Sequence, residues 1–268
     1  MSRKTVSLLL FSDIIQIMLE KFSKKLEKFY TDGNNDFFFD AHFHYAVCKE
    51  NGIGLPQFND QREWQGISCA HSKAEYEIQS LAPSCVIQSY GMHPQNAANE
   101  NIKESSDFLE KLLSKNLISY IGEAGFDYFT DEFCLAEKLQ EEIWNIQLEL
   151  ALQYKVPLVV HSRKANHKLF EYSKKLKELP EVLFHSFMGP PTEALSLCNR
   201  GINAYFSFGK QLLNNNKKAI ACVRELPLCR LLPETDAPFQ YLKGEKYTSP
   251  VEIQKVMNAI KQIRSGKV

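Results

Sequence analysis

With 268 residues, 44% of them hydrophobic, the chain is long enough for one sizeable core. Its 32 basic and 32 acidic residues leave a formal net charge of zero. That balance excludes a binder that grips nucleic acid mainly by neutralising many phosphates, so any such role has to rest on a local site. The seven cysteines are odd in number and form no C-x-x-C pair. They read as reduced thiols packed as small hydrophobes.

In chain order, MSRKTVSLLLFSDIIQIML has a basic start, but Ser12 and Asp13 interrupt its apolar stretch and no small-residue cleavage site follows. No run reaches 18 apolar residues, so no membrane span is expected and the protein is expected in the cytoplasm, without a membrane partner. Ile14, Ile17, Met18, Leu19, Phe22, Leu26 and Phe29 recur near helical spacing until the breakers of TDGNND. Residues 1–36 are therefore expected to form an N-terminal helical extension, packed on the body of the protein or serving an oligomer contact.

Eight apolar runs follow, at 37–42, 66–71, 85–91, 118–125, 157–162, 182–187, 203–209 and 229–236. Helix-length stretches lie between the later ones, at 102–115, 135–155, 166–179, 191–200 and 213–225, with another at 250–263. The connection 43–65, with Gly52, Gly54 and Pro56, reads as irregular. Strands alternating with helices imply parallel βαβ units, and eight of them can close an α/β (β/α)₈ TIM barrel over residues 37–268.

Polar residues gather at the C-terminal ends of these runs: Asp40, His42 and His44 after the first, His93 after the third, Glu123 after the fourth. His161 ends the fifth, His185 the sixth and Asp236 the eighth. A parallel barrel brings all such ends to one mouth, where barrel enzymes place their chemistry. His42 and His44, two apart on a strand, point the same way roughly 6.6 Å apart at the backbone, close enough to share one ion. A carboxylate such as Glu123 can hold two cations about 3.5–4 Å apart. Mixed imidazole and carboxylate ligands suit two divalent ions, Zn²⁺, Mn²⁺ or Fe²⁺ ahead of Mg²⁺. His71 ends the second run without further support as a ligand, and His167 reads as a solvated helix residue.

Five motifs then match in order: DAHFH (40–44), GMHP (91–94), IGEAGFDY (121–128), PLVVHSR (157–163) and LLPETDAP (231–238). HSFMG (185–189) fits less closely. Together they resemble the TatD family of metal-dependent deoxyribonucleases within the amidohydrolase superfamily. The resemblance implies His42, His44, Glu123, His161, His185 and Asp236 as metal ligands, with Glu123 bridging and both Asp236 and Glu123 catalytic. It also implies that His93, Asp127 and Arg163 line the substrate pocket. Ser186 and Met188 depart from the family's usual Cys and Ser, Gln95 from a frequent His, and Pro233 from an apolar strand residue.

The expected activity is hydrolysis of DNA or another phosphodiester by a metal-activated water, with Asp236 as general base and no obligate protein partner. The alternative is a metal-dependent carbonyl hydrolase, cleaving an ester or amide such as an aminoacyl-tRNA. The same residues serve both chemistries. No H-E-x-x-H, P-loop or G-x-S-x-G motif competes with this reading.

Overall fold

The computed structural model describes residues 20–32, 36–57 and 63–266. Its strands are β1 (Phe37–Phe43), β2 (Glu63–Ala70), β3 (Val86–Tyr90), β4 (Tyr120–Asp127), β5 (Leu158–Arg163), β6 (Val182–Phe184), β7 (Ala204–Phe208) and β8 (Leu231–Pro233). They pair in parallel, in chain order, as a single sheet. All eight apolar runs became strands.

The last strand returns to the first through specific bonds. Asp236 N–H donates to His42 O at 2.9 Å. Thr235 donates through its backbone N–H and its hydroxyl to the two oxygens of Asp40, at 2.8 and 2.6 Å. Asp40 is fully buried, and it joins β8 to β1 at the mouth. Pro233 is tolerated in β8 because Glu234 N–H, one residue on, supplies the bond to Phe208 O at 3.1 Å.

The helices are α1 (20–32), α2 (Tyr45–Glu50), α3 (Lys73–Gln79), α4 (Ile102–Ser114), α5 (Asp131–Leu135), α6 (Glu137–Tyr154), α7 (Asn166–Glu171), α8 (Ser173–Leu176), α9 (Pro191–Asn199), α10 (Lys217–Glu225) and α11 (Ile253–Arg264). The 43–65 connection is more regular than its Gly and Pro content implies, since it holds α2 and the start of β2. Two features sharpen boundaries that periodicity leaves vague. The stretch 166–179 is split into α7 and α8 at Tyr172. In 213–225 the helix waits for Asn216, whose side chain accepts from the N–H groups of Lys218 and Ala219.

Helix α1 packs on the barrel. Phe22 stacks on Phe37 and Phe39 with ring centroids 5.6 and 4.4 Å apart, and Leu26, Phe29 and Tyr30 are buried with it. The Ser23 hydroxyl donates to Cys229 O at 2.8 Å, just before β8. The remainder of the expected extension, residues 1–19 with Ile14, Ile17, Met18 and Leu19, lies outside the described residues.

Two strands are interrupted at candidate site positions. In β1, Asp40 pairs with Gly66 but Phe43 pairs with Ser68, so one extra residue is inserted around His42. In β4, Ile121 pairs with Leu158 but Ala124 with Val160, which inserts one around Glu123. Such bulges bend a strand and redirect a side chain. The second depends on glycine. Gly122 and Gly125 have φ of 155° and 143°, and a Cβ on Gly122 would come within 2.6 Å of Val159 Cβ.

Candidate metal centre

The mouth of the barrel gathers the histidines that the strand ends carry. His42 and His44 bring their Nε2 atoms to 3.1 Å. Glu123, almost fully buried, sits between two sets of nitrogens. Its Oε2 faces His42 at 3.4 Å, His44 at 3.6 Å and His71 at 2.9 Å. Its Oε1 faces His185 at 2.6 Å, His161 at 3.5 Å and His93 at 3.6 Å. Asp236 Oδ1 closes the far side, 3.4 Å from His42 Nε2 and 3.3 Å from His44 Nε2. Of the nine residues singled out from sequence, seven therefore converge on one point.

The other two are placed differently. Asp127, expected to line the substrate pocket, is fully buried behind His161. Its Oδ2 meets His161 Nε2 at 2.9 Å and accepts from Gln95 Nε2 at 2.8 Å, so it orients the imidazole and turns Nδ1 toward Glu123. The cause is a clamp from α6: Gln140 accepts from Asp127 N–H at 2.8 Å and donates to Asp127 O at 2.9 Å. Gln147, two turns on, does the same for Met92 beside His93, at 2.8 and 3.1 Å. Arg163 does line the cavity, with its guanidinium stacked 3.4 Å from the centre of the Phe129 ring. The Gln95 departure thus has a place in the structure, as a partner of Asp127.

Charge in this cluster is balanced internally. Burial would raise the Glu123 carboxyl, but the charge of His42 and the hydrogen bond from His161 outweigh it and hold the pKa well below the usual range. Asp236 is lowered too, with burial overcome by hydrogen bonds from His42 and His44. Burial opposes a charged His42, yet Glu123 holds its pKa well above normal. In His161 burial is likewise outweighed, by hydrogen bonds to Asp127 and Glu123, and its pKa rises to about 9. Burial dominates at His93 and His185, pushed down to about 3 and about 4, which leaves both rings neutral.

This donor set fits divalent cations. Three groups of atoms lie within 4.8 Å of one another: His42, His44 and Glu123; His93, Glu123 and His161; His42, His185 and Asp236. Cations bound there would displace the protons that now balance the two carboxylates. The cavity above them measures about 800 Å³. Sequence reasoning gave no support to His71, which faces Glu123 and lines the cavity; its one signal was its place at a strand end. It also passed over Gln240, whose amide reaches Asp236 Oδ2 at 2.9 Å.

A parallel (β/α)₈ barrel that presents imidazoles and carboxylates from the ends of seven strands at its C-terminal mouth defines a metal-dependent hydrolase. Residues 39–268 match the family model described as TatD related DNase, and the chain belongs to that family. It is 29% identical over 214 residues to an uncharacterized metal-dependent hydrolase of Mycoplasma pneumoniae, covering 75% of this chain and 81% of that protein. It is 29% identical over 153 residues to the 3'-5' ssDNA/RNA exonuclease TatD of Pantoea ananatis, covering 56% of each. The crystal structure of a TatD homologue from Escherichia coli superposes with a TM-score of 0.69 at 24% identity, covering 85% of this chain and 95% of that one. Among the described residues no helix is long and apolar enough to cross a membrane.

Proposed function

We propose that this hydrolase cleaves phosphodiester bonds near the end of a single nucleic-acid strand, using two divalent ions that Glu123 and the imidazoles around it would hold. The carrying observation is that the two oxygens of Glu123 face separate sets of imidazoles, His42, His44 and His71 on one side and His93, His161 and His185 on the other. Four expected imidazole ligands favour Zn²⁺, Mn²⁺ or Fe²⁺ over Mg²⁺. The neutral charge balance and a cavity set at the barrel mouth suit a strand end better than a long duplex tract. Phe239 and Tyr241, both exposed on the cavity rim, offer surfaces on which bases can stack. The exonuclease named among the relatives supports the same substrate class.

The ions would supply a water of lowered pKa and polarise the scissile group. Asp236 Oδ1 accepts the proton of the attacking water. His93, neutral and buried against Glu123, and Arg163, at the rim, stabilise charge that develops on the phosphoryl oxygens. Asp127 holds the ring of His161 in register. Residues 1–36 stand as an extension to the barrel proper, and the unpaired thiols support a reducing compartment, the cytoplasm.

The test uses Mn²⁺-loaded protein on a fluorescent single-stranded oligonucleotide, beside ester and lactone panels. Asp236→Asn and His161→Ala should each lower kcat by about 10²–10⁴-fold with helicity intact by circular dichroism. Full activity in either variant, or turnover confined to the ester panel, overturns the reading.

A further inference from the structure

Gln240 lies two residues beyond the cis Ala237–Pro238 junction, and its side chain returns to the metal centre. Its Nε2 donates to Asp236 Oδ2 at 2.9 Å and to Ser186 Oγ at 2.7 Å. Asp236 Oδ1, the other oxygen, is the one that faces His42 and His44. The amide therefore divides the carboxylate into a tethered oxygen and a working one.

Three features show that this arrangement is built. Ser186, Asp236 and Gln240 all have left-handed backbones, with φ of 46°, 52° and 53°. For side-chain-bearing residues that conformation costs energy and persists where surroundings enforce it. The amide also lies close against Gly209, where an added Cβ would come within 3.0 Å of Gln240 Oε1. Its orientation is set by charge: turned over, Oε1 would face the anionic Oδ2, whereas Nε2 donates to it. Ser186 is a further part of the device. It stands where the resemblance leads one to expect Cys, and a hydroxyl accepts an amide N–H far better than a thiol does.

We propose that Gln240, braced by Ser186, is a positioning residue that fixes the rotation of the Asp236 carboxylate and so keeps Oδ1 directed at the metal centre. This rests on Asp236 being a ligand there. Partners of metal-bound groups typically contribute about 10–100-fold to metal affinity or activity. Losing Gln240 frees the carboxylate to rotate, so the defect falls mainly on ion binding and turnover, although Gln240 also lines the cavity.

The experiment titrates the full chain with Mn²⁺ alone by calorimetry, and measures kcat and KM on the oligonucleotide with thermal melts as a control. Gln240→Met, similar in length, should weaken Mn²⁺ binding and lower kcat by about tenfold each, with KM within about threefold. Gln240→Asn keeps the amide but cannot reach, and should match it. Ser186→Ala should give a smaller loss in the same direction. The double variant Ser186→Ala/Gln240→Met should be no worse than Gln240→Met, because the serine acts only through the amide. Wild-type Mn²⁺ affinity and kcat in Gln240→Met, or serine and glutamine losses that multiply independently, overturn the proposal. If the wild-type chain cleaves none of the substrates, the nuclease reading fails while the Mn²⁺ titrations still decide the role of Gln240.

Discussion

Glu181, the residue before β6, is fully buried, and neither of its carboxylate oxygens has a hydrogen-bond partner among the described residues. Burial pushes its pKa up to about 9, with the charge of Arg230 pulling weakly the other way. A carboxyl whose folded pKa is raised holds its proton in the native state, so its stabilising effect is complete below the unfolded pKa near 4.5. That effect is lost progressively as pH rises toward about 9. Glu181→Gln should remove this loss. At 1.36 kcal/mol per pH unit it should gain about 3 kcal/mol at pH 7, and its melting temperature should exceed wild type by a margin that grows from pH 5 to pH 9. A margin independent of pH would show that the carboxyl is not held protonated. The same scale explains why Asp127 was misplaced from sequence. Its type suits a pocket wall, but its orientation is set by two bonds to Gln140 from a different element.

Among the elements, α1 shows how a segment outside the barrel alternation becomes part of its core. Leu26 is 1% exposed, and Phe22 stacks on the aromatic rings of β1. Leu26→Ala should therefore destabilise the chain by about 2–4 kcal/mol in urea unfolding, by lost transfer energy plus a cavity. Its kcat should stay near wild type, since α1 contributes nothing to the mouth; unchanged stability would mean that α1 docks only weakly. The bulges in β1 and β4 act in the opposite sense, weakening the ladder locally to aim His42 and Glu123. The helix α6 supports both neighbours of the site, through Gln140 and Gln147 on one face. Beyond β8, Lys210, buried at the end of β7, pairs with Glu252 at 2.9 Å and with Glu245, and so ties down the segment carrying Phe239 and Tyr241.

For the whole molecule, the proposed metal centre would couple stability to ligand. Its donors come from strands spread over residues 42 to 236, so cations that bind them together favour the closed barrel over the unfolded chain. At a Mn²⁺ concentration a hundred times the dissociation constant, the gain should be about 2.7 kcal/mol. That corresponds to a rise of about 5–10 °C in melting temperature for a chain of this size, reversed by a chelator. A melting curve insensitive to both would sink the two-ion centre.

The sequence by itself determined the barrel and the gathering of most of these side chains at its mouth. Eight apolar runs alternating with helical stretches leave a parallel sheet as the economical topology, and that topology sends His42, His44, Glu123, His161, His185 and Asp236 to one mouth however far apart they lie in the chain. Tertiary structure alone decided the rest: the bulges beneath His42 and Glu123, the closeness of His71 to Glu123, the place of Asp127 behind His161, and the tie from Gln240 to Asp236. Each depends on strand register or side-chain rotation, and these are fixed by contacts between residues remote in sequence, to which no local pattern is sensitive.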